Sequence, residues 1–279
     1  MSLPIPTLDH VVVNVRDRVD EAAETYRRLG FTLTPRGYHT LGSMNHLAMF
    51  GTEYLELIAA PPGDARRQEI LAAPEGLNGL VWGSEDSSAT YEALHAAGVP
   101  VVPPQQFSRP VALADGPHDA TFRTVRLTAG TTEAGRLYFC HHLTRALVWR
   151  DEWRHHRNGV IGVVRAIIAA EDPASLGALF SRMFGPDAVR PIEDGCRLLI
   201  GLSHFDLVTV KALRRWFGDA APEGNGRREF MAALTLRTRS LAAAAAALQE
   251  GRIEGVLRDE GRIVVPATAA FGTVLEFRE

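Results

Sequence analysis

The sequence predicts an α+β protein made of four copies of one strand–helix–strand–strand–strand (βαβββ) unit. The stretch Leu8-Asp9-His10-Val11-Val12-Val13-Asn14-Val15-Arg16-Asp17 aligns without gaps with Leu77-Asn78-Gly79-Leu80-Val81-Trp82-Gly83-Ser84-Glu85-Asp86. Each is followed by a helical segment closed by a glycine, Gly30 and Gly98. The pattern returns in the second half, where Asp17 and Asp172, and Gly30 and Gly185, share one offset of 155 residues. Self-similarity on this scale indicates a duplicated supersecondary unit.

In the first unit, residues 8–15 are Val-rich and alternate as a strand does. Asp17 or Asp20 offers the helix N-cap, and Ala22, Ala23, Tyr26 and Leu29 fall at helical spacing. Residues 31–34 read as a short strand and 37–43 as a loop. Residues 45–50 and 54–58 form a hairpin around Gly51-Thr52-Glu53. Pro61-Pro62-Gly63 breaks the pattern before a short connecting helix at 66–72. The second unit has a helix at 89–97, a proline-rich loop over 103–117, and strands at 121–128 and 136–142. In the third, Asp172 and Pro173 supply N-cap and N1 of a helix ending at Phe184, and strands follow at 196–201 and 205–210. Residues 216–228 read as a linker. The fourth unit has strands at 230–236, 262–266 and 273–277, with an alanine-rich helix at 241–250. The expected division is 1–147 (modules 8–60 and 77–143), a linker at 148–160, and 161–279 (modules 161–211 and 229–279).

A net charge of -3 gives no broad positive field for nucleic acid or anionic membrane. Cys140 and Cys196 lie in apolar runs and read as core thiols. No C-x-x-C pair occurs, no apolar run reaches the ~18 residues of a membrane span, and the N-terminus lacks the basic and apolar regions of a signal peptide. These features predict a cytoplasmic protein. They leave homodimerisation open. P-loop, G-x-S-x-G and dinucleotide fingerprints are absent.

The chain resembles the vicinal oxygen chelate superfamily, which includes glyoxalase I, extradiol dioxygenases and bleomycin-resistance proteins, and within it the glyoxalase-like group. The residues that carry the likeness are Leu8-Asp9-His10-Val11-Val12-Val13, Tyr26-Arg27-Arg28-Leu29-Gly30-Phe31, Met44-Asn45-His46-Leu47-Ala48-Met49-Phe50 and Tyr54-Leu55-Glu56-Leu57-Ile58, with the Trp149–Gly159 linker. The resemblance is close over roughly the first 160 residues and topological beyond. It implies two domains, the second degenerate, in which paired modules curve mixed sheets around a cavity. Such cavities usually hold a divalent metal through the first and last strand of each module.

On that resemblance His10 and Glu56 are metal ligands, completed by His142 or water, for Zn, Fe, Mn or Ni. The plainer reading packs His10 in the sheet and pairs Glu56 with an arginine. Glu56 and Tyr138 are the candidate catalytic groups; Asn45, His46 and His142 are the candidate substrate contacts. Module two departs from the pattern, with Gly79 at the His10 position and Tyr138 at the Glu56 position. In module three Arg165 stands at the His10 position. Asp206 and Glu276 match Glu56, so a buried ion pair with Arg165, or an anion pocket, is expected in the second half. In module four Met231 or Ala232 falls on the first strand. The resemblance thus implies a metal-dependent lyase, isomerase or dioxygenase acting on a small oxygen-bearing molecule. Extradiol dioxygenase ranks low, because the second half lacks the two-His, one-carboxylate set those enzymes use there. The alternative is a metal-free sequestering protein of bleomycin-resistance type.

Overall fold

A computed structural model describes residues 7–113 and 115–279. The first unit is β1 (Leu8–Asn14), α1 (Val19–Arg28), β2 (Gly37–Tyr38), β3 (Met44–Met49) and β4 (Tyr54–Ala59). A 3₁₀ turn and α2 (Gln68–Ala72) lead to β5 (Gly76–Gly83), α3 (Ser87–Ala96), β6 (Gln105–Leu113), β7 (Gly116–Arg126) and β8 (Arg136–His142). The third unit is β9 (Val160–Ala170), α4 (Pro173–Phe184), β10 (Val189–Ile192), β11 (Gly195–Ile200) and β12 (Ser203–Thr209), followed by α5 (Val210–Phe217). The fourth is β13 (Glu229–Thr238), α6 (Leu241–Glu250), β14 (Leu257–Asp259), β15 (Arg262–Val265) and β16 (Val274–Arg278).

The units pair into two eight-stranded sheets, ordered β2-β3-β4-β1-β5-β8-β7-β6 and β10-β11-β12-β9-β13-β16-β15-β14. In each, the first strands of two units meet antiparallel at the centre (β1 with β5, β9 with β13), while each also pairs in parallel with the last strand of its own unit. The α+β class and the paired, curved, mixed sheets are those the sequence predicts.

Several local expectations change. Residues 31–34 are not a strand; the edge strand is β2, inside the segment read as a loop. Residues 103–117 contain β6, paired with β7 from Gln105↔Thr124 to Leu113↔Gly116. The prolines of this stretch suggest a loop, but Pro110 lies on an outermost strand, where a missing N–H costs no ladder bond. Arg18, not Asp17 or Asp20, holds the α1 N-cap position, without a side-chain hydrogen bond. Asp172 caps α4 as expected, accepting from the Ala174 and Ser175 amides at 3.1 Å. The linker read at 216–228 is entered by α5, whose Ala212, Leu213 and Phe217 are buried.

Because side chains alternate across a strand, each sheet has a helix face and a cavity face. The helix faces of both sheets share one core. Trp82, with no exposed surface, is ringed by Phe139 of its own sheet and by Phe180, Phe184 and Phe205 of the second half, at centroid distances of 4.9–5.9 Å. Helices α1 and α6 meet at their C-terminal ends, where Arg28 donates through Nε to the Gly251 carbonyl at 2.8 Å. A Cβ on Gly251 would lie 2.0 Å from the Arg28 carbonyl oxygen, so only glycine fits there. The cavity faces differ. In the second sheet α5 fills the hollow against Ile167, Ala169 and Val208. In the first, α2 follows β4 as α5 follows β12, but it spans five residues and buries mainly Ile70. The first hollow is left partly open.

Trp82→Ala should remove the side chain that joins the two halves of the core. We expect a loss of about 3–5 kcal/mol in urea unfolding; a loss below about 1 kcal/mol would contradict the shared core.

Candidate active site in the first cup

The centre of the site is set by an irregularity in β1. Leu8 pairs with Trp82 and His10 with Val81, so Asp9 is an extra residue opposite adjacent positions of β5. Such a bulge re-aims a side chain, and Asp9 turns alongside His10 instead of facing away from it. Its Oδ1 lies 2.6 Å from His10 Nδ1 and 3.0 Å from His142 Nε2. Burial alone would raise the Asp9 pKa. The charge of His142 and the hydrogen bonds with both imidazoles instead hold it well below the ordinary carboxylate value. With its Nδ1 proton directed at Asp9, His10 turns Nε2 into the cup, where it accepts from the Tyr138 hydroxyl at 3.1 Å and stands 3.7 Å from Glu56 Oε2. Its ring stacks on Tyr54 at 4.4 Å.

Glu56 is fixed from its other side, since Asn45 Nδ2 donates to Oε1 at 2.6 Å. Burial raises the Glu56 pKa, but the neighbouring His10 and His39 imidazoles and the Asn45 hydrogen bond outweigh it and leave the value lowered. Burial pushes the Tyr138 hydroxyl far up, so it stays protonated. His39 is driven down to about 4, chiefly by burial, and is neutral at neutral pH. It bonds Ser43 Oγ at 2.8 Å and lies 3.3 Å from Asn45 Nδ2.

The structure therefore brings His10, Glu56, Tyr138 and Asn45 together on one cavity of about 70 Å³. His142 does not line that cavity. It stands behind Tyr54, edge-on to Phe122 and Trp149, and reaches His10 only through Asp9. Among the described residues, the one group of three metal-type ligands with atoms within 4.8 Å of one another is Asp9, Cys140 and His142. His46 lies on the opposite face of β3, bonded through Nδ1 to the Thr34 carbonyl at 2.8 Å, and is walled off from the cup. In the linker, His156 bonds the Thr32 amide and the Met49 carbonyl, and so does not reach the cavity rim. Cys140 and Cys196 are free and buried.

Two groups were invisible to the sequence reading. Asp9 was masked because strict alternation sends it to the other face. Arg109, with Phe107, belongs to the stretch read as a loop, yet both line the cavity from β6 opposite Phe122. Three further arginines, Arg67, Arg126 and Arg136, also line it.

The strand registers fix the equivalent positions in the four units. Val12 pairs with Glu56, Val81 with Tyr138, Ile167 with Asp206 and Thr235 with Glu276. Two residues earlier on the first strands stand His10, Gly79, Arg165 and Ala233. Ala233 thus replaces Met231 or Ala232 in that role. A Cβ on Gly79 would lie 2.8 Å from Val12 Cβ, so the position has no room for a ligand side chain. In the second cup the expected ion pair is present. Arg165 bonds Glu276 at 2.7 Å and lies 3.6 Å from Asp206, which Arg197 also grips at 2.6 Å.

These two cups, each built from paired units in a curved mixed sheet, are the architecture of the vicinal oxygen chelate superfamily. The chain belongs to the glyoxalase-like domain family, whose sequence profile matches residues 8–184. No curated protein matches it in sequence. Among solved structures it is similar in fold to a hypothetical protein from Staphylococcus aureus, at 12% identity and TM-score 0.69, covering 98% of this chain and 99% of that one. A triple mutant of 4-hydroxymandelate synthase from Streptomyces coelicolor matches at 13% identity and TM-score 0.61, covering 99% and 94%. A xylose isomerase-like TIM barrel/4-hydroxyphenylpyruvate dioxygenase fusion protein matches at 14% identity and TM-score 0.60, covering 100% of this chain and 49% of that one. Among the described residues, no helix is long and apolar enough to cross a membrane.

The second cup yields a pH prediction. Burial raises the Glu276 pKa, but hydrogen bonds from Arg278 and Thr235 and the charges of Arg165 and Arg278 hold it at about 2, against an ordinary 4.5. The stabilisation is complete above pH 4.5 and lost as pH falls toward 2. It is worth roughly 2–3 kcal/mol, since Arg278 is half exposed and solvent-screened. Glu276→Gln should lower stability at pH 7 and flatten the acid limb of a stability–pH curve; an unchanged acid limb would refute the assignment.

Proposed function

We propose that the first cup is the active site of a metal-dependent enzyme acting on a small oxygen-bearing organic molecule. The observation that carries this is the pairing of His10 Nε2 and Glu56 Oε2, 3.7 Å apart on the cavity, each with its other polar atom held by a buried partner, Asp9 and Asn45. A carboxylate behind the imidazole and a fixed amide behind the carboxylate are what a metal site uses to orient its ligands. The residues fit a divalent ion, and His10 and Glu56 would hold it, with Zn, Fe, Mn or Ni compatible with one imidazole and one carboxylate. A bound ion would act as a Lewis acid on a substrate oxygen.

The remaining work falls to the chain. Asp9 keeps the His10 Nδ1 proton and so keeps Nε2 available in the cup. Tyr138, protonated and 3.1 Å from that atom, is the group placed to give a proton to a substrate oxygen. Glu56, held ionised, can ligate or accept a proton. Phe107 and Phe122, stacked at 5.2 Å, wall off solvent. Lyase, isomerase and dioxygenase chemistry all suit this arrangement, because the fold does not choose among reactions. The dioxygenase among the fold neighbours keeps the last in view.

A metal-free binding role is the second reading. It is favoured by Gly79, where a ligand is sterically excluded, and by the Tyr138 hydroxyl, which already occupies His10 Nε2.

Metal analysis of protein purified without a histidine tag tests the proposal. We expect a stoichiometric divalent ion, lost in His10→Ala and Glu56→Ala, with Asn45→Ala weakening affinity by about 10- to 100-fold. Wild-type protein that stays metal-free through titration with Zn, Fe, Mn and Ni salts would replace the enzyme reading with the binding one.

A further inference from the structure

We infer that the molecule bound in the first cup is a short-chain organic carboxylate and that Arg109 is the residue that holds its carboxyl group. The inference rests on reading the first cup as a ligand site and names the ligand's chemical class.

Arg109 lies on β6, paired with Ala120, and only 4% of its surface is exposed. Its guanidinium lines the cavity, yet it makes no side-chain hydrogen bond and has no carboxylate within 4 Å among the described residues; Glu56, on the same cavity, acts on it only from beyond that distance. The other charges buried this deeply are partnered. Asp9 has two imidazoles, Glu56 has Asn45, Asp206 has Arg197, Glu276 has Arg165, and Arg67 has Ser43 and Glu69. A cation withdrawn from water without a partner is costly, and proteins keep one where a ligand supplies the missing charge. Gly37 makes the space for it: a Cβ there would lie 2.8 Å from Arg109 Nη1 and 2.5 Å from Asn45 Oδ1. That Asn45 oxygen is itself buried without a partner; being an acceptor, it would take a hydrogen bond from a hydroxyl on the guest, while Arg109 takes the carboxylate.

The class of anion follows from the rest of the cavity. A guanidinium is a planar fork that matches a carboxylate in bidentate geometry. The Phe107–Phe122 stack beside it offers an apolar wall for a short carbon body, and about 70 Å³ admits only a few heavy atoms.

Binding is measured by calorimetry on chelator-treated protein, so that the result does not depend on any metal. The probes are short monocarboxylates (acetate, pyruvate, lactate, butyrate), their primary amides, and inorganic phosphate. At least one carboxylate should bind, with its amide at least tenfold weaker. Arg109→Gln should weaken the carboxylate at least tenfold, while Arg109→Lys keeps part of the affinity. The ligand-free Arg109→Gln protein should melt no lower than wild type, because a buried unpaired charge has gone, and this also verifies that it folds. Failure of every carboxylate to bind, equal binding of the amide, preference for phosphate, or unchanged affinity in Arg109→Gln would each overturn the inference. A protein that binds carboxylate but no metal would lose the enzyme reading and keep this one. One that binds metal through His10 and Glu56 but no carboxylate would do the reverse.

Discussion

The arrangement of the first cup depends on one buried carboxylate shared between two imidazoles. Asp9 is an extra residue in β1, and the bulge that accommodates it is the reason its side chain stands beside His10. From there a single oxygen joins the first strand to the eighth through His142 and sets which nitrogen of His10 faces the cavity. Without it, His10 would have no fixed tautomer, Tyr138 no directed acceptor, and Glu56 no oriented neighbour. The cost of burying this charge is met by charge-assisted hydrogen bonds on both sides, the condition under which a buried carboxylate stays ionised.

Duplication explains the scaffold, and the second cup shows the same positions occupied by an ion-pair network. There the His10 position carries Arg165, long enough to reach the carboxylates of two different units, Asp206 and Glu276. Helix α5 lies where the first cup has only the short α2, and Trp216 stacks beneath the Arg165 guanidinium at 5.6 Å. Two acids that would otherwise face a hollow are neutralised in place, and the hollow is packed. The strand order is the same; side-chain length and the longer helix after the last strand of the third unit decide whether a cup stays hollow or is packed.

Much of this was legible in the sequence because repetition is a strong signal: the aligned stretches at Leu8 and Leu77 and the equal offsets to Asp172 and Gly185 define the unit, and the family resemblance implies its pairing. Strand alternation also places His10, Glu56, Tyr138 and Asn45 on one face. What stayed hidden depends on departures from regularity. A bulge reverses the face of Asp9, and no period-two reading detects it. Prolines made β6 look like a loop, although an edge strand tolerates Pro110, and Arg109 was lost with it. His142 was placed correctly on the Tyr138 face of β8, but its partner is the unforeseen Asp9, so its role shifts from lining the cavity to supporting it. His46 shows the opposite case, since simple alternation from Asn45 already points it away from the cup.

The two cups also serve as internal references for each other's electrostatics. In the second, the buried acids are balanced by arginines from neighbouring strands, and the assembly reads as structure. In the first, the balance is incomplete: Asp9 Oδ1 and Glu56 are partnered, but the Arg109 guanidinium, the Asn45 oxygen and Asp9 Oδ2 have no hydrogen-bond partner among the described residues. Uncompensated polar groups on a packed sheet are destabilising unless something binds there. The same fold, twice in one chain, pairs its buried charges in one half and leaves a cation and two oxygens unpartnered in the other, which is the asymmetry on which the proposed ligand site rests.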